Sequence, residues 1–247
     1  MLRLKTEKDI DGIRKSCRLL AEMFDFVSRT ITEGMTGLEL DRLSEEFIRK
    51  HGGKPAFLMY DGFPGSLCIS VNNAVIHGIP NKIPFKAGDI VGIDAGINLG
   101  GYISDMAYTY GIGTVDEKVK KLMKIAEESL YLGIAKATNG NRVHDISRAV
   151  FQHNKKEGYG IVRSYCGHGV GFEVHEEPQI PNYVGGPNPR LKPGMVIAIE
   201  PMVNLGTDDV YVLPDKWTVV TRDGRPSVHF EHTVAILEDR TEILTKS

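Results

Sequence analysis

Long apolar runs, paired cysteines and a charge imbalance are all missing from this 247-residue sequence. No stretch of about 18 consecutive apolar residues occurs, so no membrane-spanning helix is expected. The opening MLRLKTEKDIDGIRKSC likewise has no apolar signal core. The three cysteines, Cys17, Cys68 and Cys166, are odd in number and far apart, with no CxxC pair. That argues against a disulfide framework or a thiolate zinc site and fits a reducing cytoplasm. A net charge of -2 gives no whole-chain attraction to nucleic acid or to a membrane surface. The chain therefore reads as cytoplasmic and unprocessed, long enough for one large α/β domain or two small ones tightly fused.

What the sequence does contain, it says twice. Ile10, Ile13, Cys17, Leu20, Ala21, Phe24 and Val27 recur at helical spacing from Thr6 to about Thr30. Thr36 with Glu39 then forms a capping box before LELDRLSEEFIRKHGG, whose glycines stop a second helix. Strand and turn signals follow as far as YISDMAYTYGIG. After Thr114 the order restarts, with helices over DEKVKKLMKIAEESLYLGIAKA and RVHDISRAVFQHNKKEG and then strands. KAGDIVGID at 86–94 matches KPGMVIAIE at 192–200 with an offset of 192 − 86 = 106. The same offset pairs Leu40 with Ile146 and Gly52 with Gly158. This period is far longer than a solenoid unit of about 20 to 50 residues. With no Pro/Gly/Ser linker between them, the halves read as one fused, pseudo-symmetric domain.

Both copies of the repeated strand end in a carboxylate, Asp94 and Glu200. The Gly100-Gly101 pair signals a hairpin, and a Leu99-Gly100 loop would set Asp94 directly opposite Asp105. Like charges facing each other are destabilising, and no Lys or Arg lies between them in the loop, so a bound cation is the economical answer. A shifted register that leaves both in solvent is the alternative. Glu231 sits inside the strand-like SVHFEHTVAIL, where an unpaired buried carboxylate would cost several kcal/mol. His168, between Gly167 and Gly169, offers a nitrogen ligand. The set Asp94, Asp105, His168, Glu200 and Glu231 is too rich in oxygen for one structural zinc. It suits two Mn²⁺, Fe²⁺ or Co²⁺ ions and amide hydrolysis.

With CGHGVG, HEEPQIPNY, LKPGMVIAIEPM and FEHTVAI, that ordered set resembles the type I methionine aminopeptidases over nearly the whole chain. The resemblance implies an α/β (α+β) pita-bread fold, with two pseudo-symmetric helix-helix-strand halves around a central curved antiparallel sheet. One catalytic metallopeptidase domain would then cover 1–247, with halves of about 1–114 and 115–247. It further implies two divalent ions (Co, Mn or Fe, with Zn possible) that activate a shared water to remove an N-terminal methionine when the second residue is small. Glu200 would double as general base, and His77 and His175 would contact the scissile peptide. Tyr60, Phe63, Cys68, His77, His175 and Trp217 would line the substrate site. Phe57, Phe63 and Val174 depart from the family's usual residues and bear on the pocket's shape.

Only 200 − 175 = 25 positions separate His175 from Glu200, too few for the type II helical insertion, and no N-terminal extension precedes the first helix. The expected substrates are nascent polypeptide N-termini, met by a monomer in transient contact with the ribosome, with no nucleic-acid-specific site. Leu2 predicts that this chain keeps its own Met1. The rivals are an X-prolyl aminopeptidase or prolidase, which usually carries an extra N-terminal domain, and a non-catalytic pita-bread module that binds protein or peptide, a kind that generally loses ligands, whereas all five are present here. GHGVG and NLGG fit no nucleotide-binding pattern.

Overall fold

Thr6 opens the first helix as the sequence predicts. In the computed structural model, which describes residues 2–246, α1 spans Glu7–Thr30. The Thr6 hydroxyl accepts from the Asp9 N–H while the Asp9 carboxylate accepts from the Thr6 N–H. Its predicted apolar stripe is buried. α2 (Gly37–Lys50) repeats the device with Thr36 and Glu39. Five strands complete this half: β1 (Lys54–Pro55), β2 (Cys68–Val71), β3 (Ala74–Ile76), β4 (Ile90–Leu99) and β5 (Tyr102–Gly111). α3 (Glu117–Ile134) and α4 (Val143–Lys156) then restart the order. They are followed by β6 (Gly160–Ile161), β7 (Gly167–Gly169), β8 (Glu176–Ile180), β9 (Val196–Ile199) and β10 (Met202–Asn204). The last strands are β11 (Val210–Val212), β12 (Val219–Thr221), β13 (Ser227–His229), β14 (Glu231–Ile236) and β15 (Thr241–Ile243).

The offset found in the sequence recurs as backbone geometry. Gly52 and Gly158 leave α2 and α4 at φ 83° and 81°, and Gly88 and Gly194, each just before its repeated strand, sit at 93° and 87°. These are left-handed conformations that favour glycine. The bridge Thr36↔Pro84 has its counterpart in Arg142↔Arg190.

The large antiparallel sheet runs β1-β4-β5-β14-β9-β7-β8, with β2 added on β4 and β15 on β14. Its β5–β14 pair joins the two halves. Alternation along each strand sends one set of side chains under the helices. Ile93, Ala95 and Ile97 pack in a core with Leu20, Phe24 and Val27 of α1, and Ile197, Ile199, Val234 and Ile236 pack with Leu122, Ala126 and Leu130 of α3. The carboxylates at Asp94, Asp105 and Glu231 fall on the opposite, concave face.

The hairpin differs from expectation by one step. Its turn is Gly100-Gly101, with φ 62° and 90°, not Leu99-Gly100. A tight two-residue turn of this type needs positive φ at both central positions, which two glycines adopt freely and a leucine does not. Leu99 therefore pairs with Tyr102, Asp94 faces Ala107, and Asp105 faces Gly96. The slip moves the opposing residue by two positions, so Asp94 and Asp105 keep a common face as diagonal neighbours.

Candidate metal centre

A row of short side chains and carboxylates crosses the concave face. Cys68 pairs with Asp94, Asp94 with Ala107, and Ala107 with Glu231. His232 pairs with Ile199, so continuing that ladder brings Glu200, the residue after β9, across from Glu231. Ala107 is the small residue in the middle, and it leaves space between carboxylates delivered from both halves. Asp105 joins one step along β5, and His168 arrives on β7.

Asp105, His168, Glu200 and Glu231 are buried, and Asp94 is half-buried. His168 Nε2 lies 3.4 Å from Glu200 Oε1 and 3.8 Å from Asp105 Oδ2. Its Nδ1 is 3.0 Å from Gly169 O, so the geometry assigns the Nδ1–H to that carbonyl and leaves the Nε2 lone pair facing the cluster. Two sets of donor atoms, Asp105/His168/Glu231 and Glu200/His229/Glu231, each lie within 4.8 Å of one another. The glycines flanking His168 serve tight packing of β7. A Cβ on Gly167 would stand 2.4 Å from Ala198 O, and one on Gly169 would stand 2.4 Å from Glu177 O.

The electrostatics demand positive charge. Burial pushes Asp94 up to about 7, with Glu200 adding to the rise, and pushes Glu200 up to about 8. Asp105 and Glu231 are raised first by burial and then by neighbouring carboxylates. Burial also holds His168 down to about 3, which keeps the imidazole neutral and able to ligate. Asp94 Oδ1, Asp105 Oδ1 and Glu231 Oε1 are buried with no hydrogen-bond partner among the described residues. Orphaned carboxylate oxygens converging with a neutral imidazole are what a site for divalent cations of intermediate hardness requires. The residues present fit such ions.

Above this floor opens a cavity of about 240 Å³ that holds every site residue the sequence singled out. Tyr60, Phe63, Cys68 and Trp217 form its apolar side, together with Phe57 and Val174. Phe63 and Trp217 meet edge to face at 5.2 Å. An Asp215 oxygen accepts from the Trp217 and Thr218 N–H groups and so fixes the turn that presents the indole. Phe57 stands against Gly96, where a Cβ would come 2.9 Å from its ring.

His77 and His175 also line the cavity. His77 is held in a left-handed conformation, φ 56°, edge-on to Tyr165. Burial lowers it to about 4. His175 Nδ1 lies 3.2 Å from the Tyr60 hydroxyl, and burial lowers its pKa too. The loop carrying it is braced from beneath. Lys5 Nζ donates to Glu176 Oε2 at 2.7 Å, and Glu176 Oε1 accepts from the Phe172 and Glu173 N–H groups.

Two residues escaped the sequence reading, one lining the cavity and one beside Glu200. Asp61 lines the mouth in a left-handed conformation, φ 48°, which no local motif signals. His229 lies beside Glu200, and alternation in VHFEH could have found it, since it stands two residues before Glu231 on the same face.

Comparison with known proteins agrees with this geometry. A family model described as Metallopeptidase family M24 matches residues 11–238. A protein named methionine aminopeptidase from Clostridium perfringens is 50% identical, covering 99% of this chain and 99% of its own length. The crystal structure of methionine aminopeptidase from Rickettsia prowazekii superposes with a TM-score of 0.97 at 40% identity, covering 99% of this chain and 100% of that one. A prolidase from Pyrococcus furiosus superposes at 0.81 with 29% identity, covering 99% of this chain and 65% of its own.

Proposed function

Since the chain belongs to metallopeptidase family M24, with that family's pita-bread fold, we propose that it is a methionine aminopeptidase. On this reading it hydrolyses the peptide bond after an N-terminal methionine when the following residue is small. The observation that carries the reading is the single cavity in which an apolar aromatic slot opens directly onto the carboxylate and imidazole cluster. The prolidase likeness is weaker in identity and spans only part of that protein.

Asp94, Asp105, His168, Glu200 and Glu231 would hold two divalent ions, Co, Mn or Fe with Zn possible. Bound there, such ions would supply Lewis-acid polarisation of the scissile carbonyl and a water acidic enough to react near neutral pH. The protein's own groups supply the rest. Tyr60, Phe63, Cys68 and Trp217 take the methionine side chain, whose thioether suits aromatic and sulfur neighbours. Glu200 accepts a proton from the attacking water as the new C–O bond forms, and delivers it to the departing amine nitrogen as the C–N bond breaks. His77 and His175 stay neutral at pH 7, and each has one N–H to donate to the substrate carbonyl as it gains negative charge. Tyr60 fixes the ring of His175.

The whole chain would act as one catalytic domain of two related halves, about 1–114 and 115–247. It would work as a cytoplasmic monomer on nascent polypeptide N-termini, with transient ribosome contact. Three free cysteines suit a reducing compartment, and among the described residues no helix is long and apolar enough to cross a membrane.

The test is to strip the protein with chelator, reload it with Mn²⁺, Fe²⁺ or Co²⁺, and compare Met-Gly and Met-Ala peptides with X-Pro peptides. Metal-dependent release of methionine is expected. Cleavage of X-Pro alone would move the protein to the prolidase branch, and no hydrolysis of either would leave a binding module.

A further inference from the structure

His229 has no part in the proposed ligand set, yet its side chain is 4% exposed and its Nε2 is a buried polar atom with no hydrogen-bond partner among the described residues. The closest charged atom to that nitrogen is Glu200 Oε2, at 3.3 Å. The backbone that carries the imidazole is clamped from two sides. The Thr109 hydroxyl donates to His229 O at 2.8 Å and accepts from the His229 N–H at 3.0 Å. On its other side, His229 pairs with Met202 in the β10–β13 ladder. The direction of the ring is thereby set by main-chain bonds to β5 and β10, independently of the cluster it faces.

Glu200 is held from its own side. Asn182 Nδ2 donates to its carbonyl at 2.9 Å, but among the described residues its carboxylate accepts no hydrogen bond. Its two oxygens face different imidazoles: Oε1 lies 3.4 Å from His168 Nε2, and Oε2 lies 3.3 Å from His229 Nε2. His168 also faces Asp105, so Oε1 lies on the His168–Asp105 side of the cluster and Oε2 on the His229 side.

We propose that His229 is a positioning residue: its Nε2–H holds Glu200 through Oε2, so that Oε1 is presented to the metals and to the attacking water. The inference rests on the reading of Glu200 as ligand and base, and it deepens that reading. It assigns a further residue to the site, acting through Glu200 and not on substrate. A small closing of the 3.3 Å contact would give His229 Nε2 and the Glu200 carboxylate the hydrogen bond that each lacks, and would leave a carboxylate on a flexible side chain with one orientation. Partners that orient a ligand from behind in this way are commonly worth about 10- to 100-fold in metal affinity or activity.

The experiment compares the chelator-stripped wild type with His229→Leu, His229→Gln and His229→Asn. Each is titrated with Mn²⁺ by calorimetry, melted as apoprotein, and assayed after reloading with a Met-Ala peptide. His229→Leu and the too-short His229→Asn should bind Mn²⁺ about 10- to 100-fold more weakly and lose kcat by a similar factor, with KM changed less than about threefold. His229→Gln, whose amide N–H reaches Oε2, should recover most of both. Wild-type Mn²⁺ affinity and kcat in His229→Leu or His229→Asn, with only the melting temperature lowered, would reduce His229 to a structural role and overturn the proposal. A glutamine variant as impaired as the leucine one would also overturn it, by showing that the imidazole itself ligates. Should wild type fail to cleave methionyl peptides, the calorimetric pattern still decides the His229 claim separately from the substrate.

Discussion

Replacing Lys5 by methionine keeps the length and apolar stem of the side chain but removes its charge from a pair that is almost wholly buried. The Lys5 and Glu176 side chains are 1% and 3% exposed, with Nζ 2.7 Å from Oε2. At an effective dielectric of about 20 the attraction at that distance is on the order of 6 kcal/mol. Desolvation offsets much of it, and removing one member of a buried pair typically costs about 3–5 kcal/mol because the other is left uncompensated. Glu176 would keep the N–H groups of Phe172 and Glu173, so the lower end, about 3 kcal/mol, is expected. For a chain of this length that corresponds to a fall of roughly 6–12 °C in Tm.

The loss should depend on pH in a stated direction. Glu176 is held below the usual carboxylate range: burial opposes this, but the Lys5 hydrogen bond leads the groups that outweigh it. A depressed carboxylate contributes stability that is present above its unfolded pKa and is lost as pH falls through its folded value. The gap between wild type and Lys5→Met should thus be full at pH 6 to 7 and shrink below about pH 4. Urea unfolding of the metal-loaded proteins across that range measures it. A difference below about 1 kcal/mol at pH 7, or one that grows in acid, would refute the pair's assigned role.

The metal-free protein should lose stability as pH rises from about 4 to 8. Asp94, moved to about 7, and Glu200, moved to about 8, keep protons in the fold that the unfolded chain gives up earlier. Thermal melts with and without Mn²⁺ check this, and Mn²⁺ affinity should itself climb over pH 6 to 8 as those protons are displaced. Gly167→Ala places a Cβ 2.4 Å from Ala198 O. It should cost about 1–3 kcal/mol in denaturant unfolding and weaken Mn²⁺ binding by moving His168, whereas unchanged stability would show that β7 can shift. Trp217→Ala opens the apolar slot and should raise KM for methionyl peptides about tenfold or more while Mn²⁺ affinity stays at the wild-type value. Equal losses in both would mean that the indole supports the metal floor.

Much of this arrangement can be read without coordinates, because it is carried by local chemistry. The capping pairs at Thr6 and Thr36 are written in adjacent residues, and the helices begin where those pairs stand. The repeat is legible because the same glycines must adopt left-handed backbone at Gly52 and Gly158 and at Gly88 and Gly194. Register was less legible. LGG allows two turn placements, and only the need for positive φ at both central positions selects Gly100-Gly101.

The hairpin's wrong step still left Asp94 and Asp105 on one face because side-chain direction repeats every two residues. What the sequence hid depends on contacts between distant strands. The glycines around His168 answer to backbone carbonyls of Ala198 and Glu177 lying 2.4 Å from where a Cβ would be. His229 stands two residues before Glu231, but its place beside Glu200 is made by the β10–β13 ladder, which pairs it with Met202.

The central claim is that carboxylates and an imidazole drawn from both halves hold divalent ions for methionine removal. Asp105→Asn tests it most directly, since it preserves the shape of a 4% exposed side chain and removes its charge. Mn²⁺ titration and Met-Ala hydrolysis should be measured together on the stripped and reloaded variant, with circular dichroism to show that it is folded. The account predicts a folded protein with Mn²⁺ affinity reduced by at least about 100-fold and no metal-dependent release of methionine. Wild-type metal affinity and full hydrolysis in that variant would contradict it.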